Sequence, residues 1–179
     1  MAEVIELSSY AFYKIPLHRS PNAFADVAGS SAYPSVKGVV YFYQTEAGVL
    51  VVAHIEGLPQ GAEDCPSAIF GFHIHESGPC SGTAEEPFAN VGSHYNPHNC
   101  RHPAHAGDLP PLFGNNGHAF MSVLTNRFTT SEVIGRSVII HASPDDFTTQ
   151  PSGNSGAMIA CGQILQPQFL HFTMQMEQT

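Results

Sequence analysis

VKGVVYFYQTEAGVLVVAHIEGL, residues 36–58, decides the fold. It holds two runs rich in β-branched and aromatic residues, VKGVVYFYQ and VLVVAHIEGL, joined through TEAG. Such runs suit a pleated, half-buried surface, and the short glycine-containing link between them reads as a β-hairpin. Working outward, SAIFGFHIHE (67–76) reads as the next strand and LFGNNGHAFMSVL (112–124) as a second hairpin turning at Asn116-Gly117. VIGRSVIIHA (133–142) is a nearly unbroken apolar run ending at His141, and AMIACGQIL (157–165) is a final strand. Short strands with long excursions and no sustained helical period indicate an all-β sandwich or Greek-key barrel in a single domain. Residues 1–35 are expected to be an extension packing on the body, with short strands near 4–7 and 11–15. Residues 36–165 form the β domain in this reading, and 166–179 a tail.

The connections carry the chemistry. Residues 77–111 form a stretch rich in Pro and Gly with little periodicity, and DDFTTQPSGNSG (145–156) is a second polar loop. A loop as long as the first is uncommon in a compact domain and is usually functional, so something must hold it down. GFHIH (71–75) puts His73 and His75 on one face of a strand, roughly 6–7 Å apart along the backbone. GSHYNP (92–97) then supplies His94, and HPAHAGD (102–108) supplies His102, His105 and Asp108. Imidazoles with a carboxylate and no thiolate suit zinc and copper better than calcium, magnesium or iron–sulfur clusters.

Composition narrows the partners. The 179 residues carry a formal charge of −9 with only six Lys and Arg, which argues against nucleic acid and anionic membrane surfaces. No apolar run approaches the roughly 20 residues needed to span a bilayer. Residues 1–30 lack the apolar core of a signal peptide, so the chain as written reads as cytoplasmic, with a periplasmic or extracellular placement if a signal was removed upstream. Four cysteines without a Cys-x-x-Cys pair fit disulfides better than a structural zinc site.

GFHIHE, GSHYNP, HAGDL, VIGRSVIIHA followed by Asp145-Asp146, and GNSGAMIACGQI stand in the order and approximate spacing of copper/zinc superoxide dismutases, which the chain resembles over about residues 36–164. HESGPC and GDLPPL look more like the bacterial branch. The resemblance implies an eight-stranded Greek-key β-barrel with its metals on long loops. It implies copper on His73, His75, His94 and His141, and zinc on His94, His102, His105 and Asp108. His94 would be shared, as an imidazolate able to take up and deliver a proton. Asp145 matches the carboxylate that hydrogen-bonds one histidine on each side. Cys80 and Cys161 match the family's disulfide. Cys65 and Cys100 are left either as a second pair or as two thiols, and a homodimer is compatible with the resemblance.

One position departs from the family. An arginine beside copper, three residues before the last-strand cysteine, ordinarily attracts superoxide; here that position is Met158. Without the cation, capture and turnover of the anion should slow. Arg101 could substitute if its loop leans inward, against the simpler reading of a solvent-facing residue. Two functions of different class follow: a copper- and zinc-dependent dismutase of reduced efficiency, or a non-enzymatic copper-handling relative. Nothing else competes. GNSGA offers no nucleophile elbow, no glycine loop opens a phosphate-binding helix, and His18, His54, His98, His118 and His171 have no matching role.

Overall fold

The computed structural model describes residues 20–61 and 68–167. The strands expected near 4–7 and 11–15, and the tail beyond 167, lie outside the described residues. The elements are β1 (Ala23–Gly29), β2 (Lys37–Thr45), β3 (Gly48–Glu56), β4 (Ala68–Phe70), β5 (Phe72–His75), β6 (Leu112–Gly114), β7 (Ala119–Thr125), β8 (Ser137–His141) and β9 (Met158–Leu165). A one-turn helix, α1 (Thr130–Val133), and a 3-10 turn at Ala89–Val91 accompany them.

Both turns form where the turn chemistry places them, but only the first joins two paired strands; the second closes a single bridge, since β6 pairs with β4 and β7 with β3. β2 and β3 pair in register from Lys37 opposite Glu56 to Thr45 opposite Gly48, leaving Glu46 and Ala47 as the turn. Asn116 and Gly117 both adopt positive φ, 50° and 79°, between the bridged residues Asn115 and His118. That is the backbone a two-residue hairpin turn requires, and Asn-Gly tolerates it best.

All paired strands are antiparallel. Seven form a sheet in the order β5-β8-β9-β1-β2-β3-β7, and β4 and β6 form a separate pair. The pair joins the two ends of the sheet. β4 runs through Gly71 into β5 at one end, while β6 turns at Asn116-Gly117 into β7 at the other. With β4 and β5 taken as one strand broken at Gly71, the curled sheet is an eight-stranded barrel of Greek-key connectivity.

The segment upstream of Val36 belongs to this barrel in part. β1 lies between β2 and β9, with Ala25 opposite both Val40 and Ile164. Residues 23–29, read from the sequence as part of an extension packing on the body, form a strand of the sheet itself. Without this strand, β2 and β9 would each expose an unpaired edge inside the sheet.

The barrel interior holds Val40, Phe42, Val51, Phe72, Ile74, Val138, Ile140 and Ile164 among its buried side chains. Each large apolar group here stabilises the fold by roughly 1.5–3 kcal/mol relative to exposure. β5 and β8 are buried at every position rather than at alternate ones. Phe72, Ile74, Val138 and Ile140 point into the barrel. Ile139 belongs to an outer cluster with Phe88, Val91 and Cys161, which the long loop covers. His73, His75 and His141 share that covered outer side by strand alternation.

The Cys80–Cys161 disulfide pins this loop to β9 across 81 residues of sequence. In the chain-entropy account, closing a loop of that length stabilises the fold by about 4–5 kcal/mol. The free edge of β5 is also occupied. Ile74 N–H donates to Gly107 O at 2.8 Å, Tyr95 N–H to Ile74 O at 2.8 Å and Glu76 N–H to Ser93 O at 2.9 Å, so the loop zips along an edge that would otherwise be open.

Candidate metal centre

Six histidines and two aspartates converge where the loop meets β5 and β8. His73 and His75 come from β5, His141 from the end of β8, and Asp145 from the loop that follows it. His94, His102, His105 and Asp108 come from the long loop. All eight are buried. They form two groups that share His94: His73, His75, His94 and His141, and then His94, His102, His105 and Asp108. Within each group one donor atom per residue can be chosen so that all lie within 4.8 Å of one another.

The hydrogen bonds fix which nitrogen each ring has to offer. Backbone carbonyls and carboxylates only accept, so a ring nitrogen facing one must carry the proton. His73 Nε2–H donates to Asp145 Oδ2 at 2.8 Å, and His102 Nε2–H to Asp145 Oδ1 at 2.9 Å. His75 Nδ1–H donates to Gly92 O at 2.8 Å, and His141 Nδ1–H to Gly156 O at 3.2 Å. The other nitrogens of these rings are therefore unprotonated. They are His73 Nδ1, His102 Nδ1, His75 Nε2 and His141 Nε2, and all of them turn toward the interior of their groups.

His75 Nε2 and His141 Nε2 lie 3.4 Å apart. The separation suits a hydrogen bond, but both protons are already committed to carbonyls on the far sides of the rings. Two lone pairs thus face each other, an arrangement that a cation between them would convert from repulsive to stabilising. His73 Nδ1, His94 Nε2, His102 Nδ1 and His105 Nδ1 are buried without any hydrogen-bond partner. Such atoms cost free energy unless something satisfies them. His102 Nδ1 and His105 Nδ1 lie 3.1 and 3.3 Å from Asp108 oxygens, yet neither makes a hydrogen bond of acceptable geometry. They stand beside the carboxylate, with one donor atom from each within 4.8 Å of the others.

His94 joins the two groups. Its Nδ1 lies 2.8 Å from Asp108 Oδ1 in the second, while Nε2 is unpartnered and belongs to the first. Its ring centroid is 3.9 Å from that of His73 and 5.6 Å from that of His105. Every residue of the two groups thus presents a free nitrogen or carboxylate oxygen inward, except that His94 Nδ1 faces Asp108 in the second group and must give up its proton to bind an ion there. This donor chemistry fits zinc and copper.

The electrostatics keep His73, His75 and His141 neutral and ready to ligate. Burial, with His94 and other imidazoles nearby, pushes His75 down to about 3 and His141 down to about 4 from the ordinary 6.5, and drives His73 lower still. Burial works to raise Asp108, but the His94 hydrogen bond and the neighbouring imidazoles outweigh it and hold this carboxyl below its usual range.

Residues silent in the sequence support the centre. Arg127 Nη1 donates to the carbonyls of Pro103, His105 and Asp108 at 3.3, 3.3 and 3.0 Å, clamping the segment that bears His102, His105 and Asp108 from behind. Gln150 makes a reciprocal pair with the His102 backbone: His102 N–H donates to Oε1 at 3.0 Å and Nε2 donates to His102 O at 2.7 Å. Arg136 stacks 3.8 Å over the Tyr95 ring and donates to Glu76 O. No sequence signal marks these residues, because they bind backbone carbonyls and rings distant along the chain.

Above the first group lies a cleft of about 880 Å³, lined by His75, His94 and His141 on one side and by Met158, Glu76, Glu85 and Glu86 among others. Arg101 is exposed and does not line it. His54, His98 and His118 are exposed, and His18 and His171 lie outside the described residues. Cys100 is exposed and joined to no cysteine among the described residues, while Cys65 lies outside them.

The sequence matches the family profile described as copper/zinc superoxide dismutase (SODC) over residues 36–164. A superoxide dismutase (Cu-Zn) of Aquifex aeolicus is 34% identical over 145 residues, covering 72% of this chain and 79% of that protein. The superoxide dismutase-like protein YojM of Bacillus subtilis is 39% identical over 117 residues, covering 56% of this chain and 57% of that one. Among solved structures, the Cu/Zn superoxide dismutase of Brucella abortus superposes with a TM-score of 0.66 at 26% identity, over 79% of this chain and 98% of that one.

Proposed function

The chain belongs to the copper/zinc superoxide dismutase family, and from that premise we propose that it dismutates superoxide, with copper held by His73, His75, His94 and His141 and zinc by His94, His102, His105 and Asp108. Copper, alternating between cupric and cuprous states, would supply the one-electron exchange that converts two superoxide anions and two protons into dioxygen and hydrogen peroxide. Zinc would supply charge and geometry without redox change.

The residues do the rest. Asp145 holds His73 and His102 in the tautomers that leave Nδ1 free, tying the two metal groups together through one carboxylate. His94 can hold a proton at Nε2 or release it while Nδ1 stays committed to the second group, so it is placed to deliver a proton to the reduced product. The loops that bury these rings keep water away from all but the cleft side.

The observation that carries this reading is the convergence of inward-facing donor atoms in two groups of four, with His94 common to both. Turnover should be slow. Met158 occupies the position where the family has its anion-guiding arginine, and among the described residues the cleft is lined by three glutamates with no lysine or arginine. A second reading, a copper-handling protein without useful turnover, is favoured by those same two features. The Cys80–Cys161 disulfide supports work in an oxidising compartment. No helix of the described residues is long and apolar enough to cross a membrane.

The test is metal analysis together with superoxide decay on protein reconstituted with copper and zinc. One ion of each per chain and a catalytic, saturable decay rate support the dismutase. Copper bound with decay no faster than the spontaneous reaction would select the copper-handling reading.

A further inference from the structure

The cleft over the first histidine group has a charge that dismutation does not explain. Glu76, Glu85 and Glu86 line it, and none of its lining residues is a lysine or arginine. The cations among the described residues are occupied elsewhere or displaced. Lys37 lies by Glu56, Arg127 clamps loop carbonyls, Arg136 stacks on Tyr95 and donates to the Glu76 carbonyl without lining the cleft, and Arg101 is exposed and does not line it. The three carboxylates are exposed at the rim, and charges of one sign at a cleft mouth raise the local concentration of ions of the opposite sign. This one repels a small anion and attracts a cation. Its volume of about 880 Å³ also exceeds that of a diatomic anion more than about tenfold, judged against the roughly 30 Å³ share of a water molecule.

Met158 adds chemical selectivity. It opposes His141 in the β8–β9 ladder, beside a register shift, and both residues line the cleft. Phe88, Val91, Ile139 and Cys161 pack against it and leave it half-buried at the cleft wall. A thioether is a soft, uncharged donor that prefers cuprous copper over cupric copper or zinc. In the same cleft lining, His75 Nε2 and His141 Nε2 face each other 3.4 Å apart without a proton between them.

We propose that Met158 and the glutamate rim form a capture port for cuprous ion, the carboxylates drawing it in and the Met158 thioether holding it beside His75 and His141. The exchange is one of ligands alone. The thioether sulfur and the imidazole nitrogens replace the donors with which the ion arrives, and no electron is transferred. The inference rests on the first histidine group being the copper site.

The experiment uses zinc-loaded full-length protein, titrated anaerobically with cuprous ion against bicinchoninate and aerobically with cupric ion. Wild type is compared with Met158→Leu, which keeps the volume and removes the sulfur, and with the double variant Glu85→Gln/Glu86→Gln. Wild type should show a sulfur scatterer in copper X-ray absorption of the cuprous form. Met158→Leu should lose that scatterer and about tenfold in cuprous affinity while cupric affinity stays unchanged. The glutamine variant should load from the cuprous acetonitrile cation more slowly and with a weaker dependence on salt. Equal cuprous affinity in wild type and Met158→Leu, with no sulfur scatterer in either, would overturn the port. Failure of wild type to take up cupric ion would instead overturn the copper assignment, and the port with it.

Discussion

Gly153 packs against the carboxylate of Asp145 so closely that a Cβ at position 153 would overlap Oδ1. Its φ of 68° is also one that side-chain-bearing residues rarely adopt. Gly153→Ala should therefore push Asp145 away from His73 and His102 together. The expected outcome is a loss of about 10–100-fold in affinity for both metals, the range typical of disturbed outer-sphere partners. Chelator competition checks it. A loss at one site alone would show that Asp145 does not couple them.

Asp145→Asn separates charge from shape. The amide has one acceptor oxygen where the carboxylate has two, so only one of His73 and His102 can keep its Nε2–H bond. The other ring should turn over or change tautomer, presenting a protonated nitrogen to the metal group. Metal affinity should fall by about 10-fold or more while the thermal midpoint of the metal-free protein changes little. Isotope-edited NMR of the imidazole nitrogens in that form would report the tautomers directly.

Arg127→Ala should loosen the zinc side alone. It removes three hydrogen bonds to the carbonyls of Pro103, His105 and Asp108. At roughly 0.5–1.5 kcal/mol net per bond, discounted for partial exposure, zinc affinity should fall by about tenfold. Copper bound by the first group should be retained. Cobalt substituted for zinc gives a readout that a general loss of stability would not move, because its visible spectrum reports the coordination at that site.

Much of this arrangement was legible in the sequence because strand spacing and turn chemistry are local. Two histidines two apart in FHIH must share a face, and Asn116-Gly117 must turn. β1 was not legible. AFADVAG alternates inward Ala23, Ala25 and Val27 with Phe24, Asp26 and Ala28, and small inward residues give little hydrophobic contrast; only its pairing with both β2 and β9 makes it a barrel strand. Arg127 and Gln150 were silent for a different reason. Their partners are carbonyl and amide groups that every residue carries, so no pattern of side chains announces them.

Acid should destabilise the metal-free protein through its buried histidines. His75 and His141 stay neutral in the folded state down to about 3 and about 4, while in the unfolded chain each takes up a proton near 6.5. The unfolded state therefore binds more protons between these limits, and stability falls as pH drops from about 6.5 toward 4. Each histidine contributes a slope of up to about 1.4 kcal/mol per pH unit. Urea midpoints at pH 7, 6 and 5 should decrease in that order. A flat series would contradict the burial of neutral rings.

Met158→Arg should raise the dismutation rate and make it more sensitive to salt, because a guanidinium at this wall offsets the glutamate rim and can hydrogen-bond the anion. Stopped-flow decay of superoxide at two ionic strengths measures both effects. An unchanged rate would mean that this position does not limit capture.

The most direct test of the shared-histidine centre is anomalous diffraction at the copper and zinc edges from crystals of the reconstituted protein. Two separate peaks are expected, with the His94 ring lying between them, Nε2 toward copper and Nδ1 toward zinc. A single peak, or His94 turned away from either ion, would contradict the account.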